Sequence, residues 1–407
     1  MSKFGLITVG ALGLALFAFG CEGDDDANDD GDNTSSSSSS SSSGSSGASG
    51  SSSSSSSSSS GSSGTSSGSS GNPACAPPAD YPGADAWETA AAPGLGARGL
   101  LVNLNKAMAD AETANAAGEN TTDSLKGLYT PLAGATHASQ TRKDTVNAAI
   151  DAFIPALGQT FDPTAVAPTA GRYGKWTFTS KGVDLRQLVE KGSFGGELYR
   201  IFADPRPVAA RIDSIVAMFG ASPAFNLTNA ASDKPVHTAK YAADRDPNGL
   251  YASFKQNAIL AKFASAQGDT CSDEATAAVS ELQKIWERSL VAASVYYLHR
   301  SAPQFVKAVD ATEEDGTLSR AQALHSLGEV AGFLGGLRSL TAAERIATDA
   351  QLDEVLGDLR LGADATPIDF WKGDANPETV FPAVIVKLQD IYGFTETQIA
   401  TFKGSAQ

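Results

Sequence analysis

The sequence predicts an all-α fold, a helical bundle duplicated into two similar halves. Three observations carry this. Apolar residues recur three and four apart across most of residues 72–407, capping signals and Gly/Pro breakers bound those runs, and strand-like alternation is confined to Lys175-Trp176-Thr177-Phe178-Thr179. A stretch of that length can bury a large core, here as halves of roughly 72–265 and 266–407.

The chain opens differently. Lys3 precedes an apolar run from Phe4 to Phe19 that is interrupted only by Gly and Thr8. At about 16 residues the run is shorter than the ~20 a spanning helix needs. It fits the core of a removable signal peptide, residues 1–20. The run ends in Ala18-Phe19-Gly20-Cys21, where a small residue precedes a thiol that would become the new N-terminus. Cys21 is therefore the expected lipidation site, and its lipid the expected contact with the membrane. An ordinary secretory cut after Gly20 is the alternative, because Ala18-Phe19-Gly20 also has the A-x-A-like form. The cell envelope is the expected location, at the outer membrane, facing the periplasm or the cell surface.

Residues 21–71 read as a tether. Seven acids lie between Glu22 and Asp32, and 35–71 are Ser and Gly apart from Ala48 and Thr65. Such a composition cannot repay the entropy of ordering. A Gly/Ser coil of this length spans ~30–35 Å, and stretched it reaches about 120 Å.

The helical stripes follow in order. They include Leu100-Leu101-Leu104-Met108, Val146-Ile150-Phe153-Ile154, Leu185-Leu188-Val189 and Ile212-Ile215-Met218-Phe219. Later come Leu282-Ile285-Trp286-Leu290, Leu324-Leu327-Phe333-Leu334-Leu337, Leu352-Val355-Leu356-Leu359 and Val384-Ile385-Leu388-Ile391-Tyr392. Thr121-Thr122-Asp123 and Ser272-Asp273-Glu274 open helices, and Thr341-Ala342-Ala343-Glu344 has the capping-box form. Asp204-Pro205-Arg206-Pro207 and Asp246-Pro247-Asn248-Gly249 separate them.

Two helices look like copies. A shift of 139 residues aligns Leu188 with Leu327, Glu190 with Glu329, Phe194 with Phe333 and Gly196 with Gly335. Both are glycine-rich, which costs about 1 kcal/mol per helical glycine and so calls for a packing or functional reason. The expectation is that the two flat faces meet and leave a polar cleft.

Charge and cysteine usage bound the function. Removing the seven tether acids from 46, and Lys3 from 30 basic residues, leaves 39 acids against 29 bases. Nucleic acid is excluded as a partner, because phosphate backbones require clustered cations. Besides Cys21 there are only Cys75 and Cys271, which either pair in an oxidising compartment or stay as two buried thiols. Neither has the local spacing of a zinc site.

Of the four histidines, His325 has the best company, with Glu329 four residues on along the same face. The pair can supply two metal ligands, or a carboxylate-oriented imidazole. Glu190, at the copy of Glu329, is the expected third ligand, with Gln187, Lys191 and Gly332 lining the cleft. A His–Glu hydrogen bond between packed helices is the alternative. His299 reads as a helix C-terminal cation, and His137 and His237 as loop residues. Nucleophile elbows, P-loops, Rossmann glycines and HExxH are missing from the sequence.

Several of these segments resemble imelysin-related bacterial lipoproteins of unknown function. They are Gly182 to Gly192, Ala323 to Phe333, Trp286-Glu287 ahead of Tyr296-Tyr297, Asp369-Phe370-Trp371, Ile391-Tyr392-Gly393-Phe394, and Gly96-Ala97-Arg98 before a Leu-rich helix. The resemblance covers roughly 80–402. It implies an exported, lipid-anchored, duplicated helical bundle, and in the wider imelysin group either peptidase activity or iron uptake through a GxHxxE motif. This sequence lacks GxHxxE, and it carries His237 to Asp244 where the related lipoproteins have a Met-Glu-His-His-Trp-Asp-Glu-like segment. The leading expectation is a non-enzymatic, lipid-anchored binding protein of unknown ligand, for a small ligand or an envelope protein, with ligand capture or metal uptake (a divalent metal or iron) as its open roles. An imelysin-type metallopeptidase and a surface protein-interaction module are the alternatives.

Overall fold

The computed structural model describes residues 73–227, 234–310, 313–362, 365–372 and 375–404. The signal segment, Cys21 and the Ser-rich stretch lie outside the described residues. The described chain is mostly helical: α1 (Trp87–Ala90), α2 (Ala92–Ala114), α3 (Thr122–Ala135), α4 (Gln140–Ala156), α5 (Leu185–Gly196), α6 (Val208–Phe219), α7 (His237–Arg245), α8 (Ala252–Ala266), α9 (Ser272–Asp310), α10 (Glu313–Arg338), α11 (Asp349–Asp358), α12 (Asp369–Lys372), α13 (Pro377–Tyr392) and α14 (Glu396–Phe402). Among the described residues, no helix is long and apolar enough to cross a membrane.

The capping chemistry explains where helices start. Thr121 Oγ1 accepts from Ser124 N, and Ser124 Oγ accepts from Thr121 N, which closes a box at the head of α3. Ser139 and Asp184 cap α4 and α5 through their side chains. The Thr341–Glu344 box forms, but it opens a single 3₁₀ turn, Ala342–Glu344; the next helix starts after Thr348.

The strand-like stretch is half of a hairpin: β1 (Gly171–Tyr173) pairs antiparallel with β2 (Trp176–Phe178), with Tyr173 opposite Trp176. Two stretches read as loops are helical. His237 opens α7, and Asp246-Pro247-Asn248-Gly249 enters a π-helical turn leading directly into α8. His299 does not end a helix, because α9 continues through Pro303 to Asp310.

One continuous apolar core joins all the long helices, with Trp286 of α9 fully buried near its middle. Its indole Nε1 donates to Phe194 O of α5 at 3.2 Å. A second, small cluster holds Cys75, Ala264, Cys271 and Ala275, and Cys75 and Cys271 are joined by a disulfide. The disulfide fixes the first described residues to the head of α9.

Candidate polar seam between α5 and α10

The two glycine-bearing helices meet face to face. A Cβ on Gly332 would lie 2.5 Å from the Gln187 carbonyl oxygen and 2.7 Å from Lys191 Cβ, and one on Gly336 would run into the Gly192 carbonyl. Glycine here permits backbone-to-backbone approach that no other residue allows.

Polar side chains line this contact. Asp184 Oδ1 accepts from the Arg186 and Gln187 amides at 3.0 and 3.1 Å, capping α5. Its Oδ2 lies 2.9 Å from His325 Nδ1 of α10. Because a carboxylate only accepts, Nδ1 is the donor in that bond. Trp176 of β2 stacks on the imidazole at 4.5 Å, and His325 Nε2 faces Glu329 Oε1 at 3.7 Å.

One turn further along, Lys191 Nζ stands 3.6 Å from Glu190 and 3.4 Å from Glu329. It also lies over the rings of Phe194 and Tyr241. Arg186 binds Glu190 at 3.2 Å and, from the opposite side, Glu112 of α2 at 2.8 Å. Burial, and after it repulsion from Asp184, push the Glu112 carboxyl up, against the pull of Arg186.

The expected ligand set is thus near itself but does not converge. Asp184 holds His325 through Nδ1 and leaves Nε2 toward Glu329, while Glu190 and Glu329 flank the Lys191 ammonium where a shared cation would sit. Among the described residues, one group of three metal-type ligand atoms lies within 4.8 Å of one another, namely Cys75, Cys271 and Glu274, and its two sulfurs are bonded to each other. The expected cleft is also closed. Gln187 is 2% exposed, Lys191 3% and Glu329 4%, and Gly332 is buried beside them. The physical reason is the glycine contact itself, which brings the helices too close for a gap. Only His325 and Glu190 keep a narrow edge to solvent, at 11% and 13% of their side chains.

Sequence reasoning missed Glu112, Asp184, Arg186 and Trp176 here. Asp184 had a legible signal, an N-cap residue ahead of an apolar stripe. Glu112 and Trp176 had none, because their partners are distant in sequence. A separate surface recess of about 190 Å³ is lined by Tyr199, Arg200, Phe202, Gln283 and Glu344, with Arg200 paired to Glu344. It involves none of the expected site residues. His237 packs edge-on against Phe194 at 5.2 Å, so it belongs to the apolar flank of the seam. His299 lies mid-helix at the surface, and its imidazole is lowered first by partial burial and then by Lys403.

The comparisons add no relative. The chain matches no protein-family model, and neither the curated proteins nor the solved structures contain a significant match to it. The functional reading therefore rests on the chain's own residues.

Proposed function

We propose that the chain is a lipid-anchored, extracytoplasmic helical binding protein, held in the cell envelope by Cys21 and acting without catalysis. The observation that carries the reading is the disulfide between Cys75 and Cys271 in a chain whose opening residues have the form of an export signal. Disulfides persist in oxidising compartments and are rare where thiols are kept reduced.

Duplication belongs to the same reading. In its favour, the equivalent residues Phe194 and Phe333 face each other at 6.2 Å, and the equivalent Glu190 and Glu329 share Lys191. Lys191 stands between Glu190 and Glu329, where a shared metal would have to sit, which favours recognition of an envelope protein or small ligand at the outer surface over metal-dependent peptide cleavage in the seam.

Labelled fatty acid fed to expressing cells should enter the full chain, and Cys21→Ser should abolish the label and shift the protein out of the membrane fraction. Label that persists in Cys21→Ser sinks the anchor. Peptide mapping without reduction should recover Cys75 and Cys271 as one cross-linked pair; free thiols at both positions would remove the support for export. For the binding role, a pulldown from envelope extract should retain the same partner after His325→Ala and Glu329→Ala. A metal-dependent protease activity that disappears in those variants would overturn the non-enzymatic reading.

A further inference from the structure

The loop between α4 and the hairpin carries the most exposed large apolar side chain among the described residues. Val166 is fully exposed, at 105%, against 50% for Leu227 and 54% for Val386, and Val386 sits within α13. The loop covers residues 162–170, and its neck is closed backbone to backbone. Phe161 N donates to Arg172 O at 2.9 Å, Arg172 N donates to Gln159 O at 2.8 Å, and a Cβ on Gly171 would lie 2.6 Å from Phe161 N. Phe161, at the neck, is buried and packs on Tyr173 and Phe178. Beyond the neck only the first turn is held, where Thr164 N and Oγ1 both donate to Asp162 Oδ1 at 2.8 and 2.6 Å. No described backbone hydrogen bond involves residues 166–170.

Endopeptidases take up an extended segment through its backbone and let one side chain enter a specificity pocket. Backbone already bonded within a helix or sheet cannot be taken up in this way, so folded chains are cut at exposed loop tips with small side chains. The chemistry of this tip selects the protease. Thr164-Ala165-Val166-Ala167 offers small side chains, and neither Lys nor Arg occurs from residue 144 to residue 171. The larger apolar residues nearby, Phe153, Leu157 and Phe161, are buried. The tip therefore fits an enzyme with a small apolar pocket, and not one that requires a cation or an aromatic ring.

We propose that the loop of residues 162–170 is a limited-proteolysis site for endopeptidases with a small apolar pocket, and that the Cys75–Cys271 disulfide keeps the nicked chain in one piece. The proposal goes beyond the binding role and stands without the lipid anchor.

The bond that breaks is the amide between Val166 and Ala167, or the one before it. Water's oxygen joins the acyl carbon and both its hydrogens end on the departing amine, which leaves one carboxylate and one ammonium group. Both new charges form at an exposed tip, so neither has to be buried. Cys75 lies before the cut and Cys271 after it, so the two fragments stay covalently joined. They also stay packed. Arg142, before the cut, holds Glu197, after it, in the core, and Gly94 of α2 lies against the Ser214 backbone of α6.

Brief digestion of the oxidised full chain with pancreatic elastase tests it. Within residues 73–404 the first new N-terminus should be Val166 or Ala167. On a denaturing gel the nicked chain should run as one species without reductant and as two with it. A first cut elsewhere in that range, or a chain that elastase leaves whole there, overturns the site; fragments that part without reductant overturn the retention. Val166→Lys separates access from side-chain preference, and full exposure at this position leaves the fold untouched. Trypsin should then cut after position 166, where it does not cut the wild-type chain. The elastase cut after that position should slow by at least about tenfold, since an ammonium suits an apolar pocket worse than a surplus methylene does. A Val166→Lys chain that trypsin does not cut there would show that the neck holds the tip out of reach, and the proposal would fall.

Discussion

Arg142→Met is expected to lower the unfolding free energy by about 3–5 kcal/mol, the usual cost of breaking a buried ion pair from one side. Arg142 and Glu197 are 1% and 0% exposed. The guanidinium Nε donates to both Glu197 oxygens, at 3.0 and 2.9 Å, and Nη2 donates to Val189 O of α5 at 3.1 Å. Without it, Glu197 keeps the Tyr129 hydroxyl at 2.8 Å and otherwise carries an uncompensated charge in the core. The loss should appear in urea unfolding of the full chain. A second substitution, Glu197→Gln, made in the Arg142→Met background should recover part of it, since removing both charges is often near neutral. A single-variant loss below about 1 kcal/mol would show that this pair does not hold α4 against α5.

The second large effect concerns α10. Gly332→Ala combined with Gly336→Ala should destabilise by roughly 2–6 kcal/mol, taking about 1–3 for each overpacked position. Two effects compete at each site. Alanine is the better helix former by about 1 kcal/mol, but the added methyl meets the α5 backbone at Gln187 and Gly192, which cannot yield without separating the helices. The clash wins. Gly335 supplies the control, because a Cβ there meets nothing within 4 Å. Gly335→Ala should be neutral or stabilising by up to ~1 kcal/mol. Thermal unfolding of the variants would decide between them, and equal behaviour at Gly335 and Gly336 would count against glycine as the reason the seam closes.

Much of the helical architecture was legible because the stripes are local. Leu185-Leu188-Val189 and Leu324-Leu327-Phe333 fall in α5 and α10, and Thr121 caps where its spacing says it should. The glycines of α5 and α10 also announced that something approaches them closely. Periodicity could not say how closely: an approach that forms a cleft and one that seals a seam have the same pattern in sequence. Other residues were invisible for a different reason. Arg142 finds Glu197 across 55 positions, Arg186 finds Glu112 across 74, and His325 finds Asp184 across 141. No local pattern encodes such pairs. The Pro within Asp246-Pro247 misled in its own way, since a π-helical turn accommodates it and continues into α8.

The disulfide has a mechanical consequence. Cys75 and Cys271 are 196 positions apart, yet they bind the first described residues to the start of α9. A pull arriving from ahead of Cys75 enters the 39-residue α9 through sulfur, so the intervening helices bear little of the tension. Under the anchoring proposed above, such a pull would act on the longest described helix, at its end and next to the core, and would leave α2 to α8 outside the loaded path.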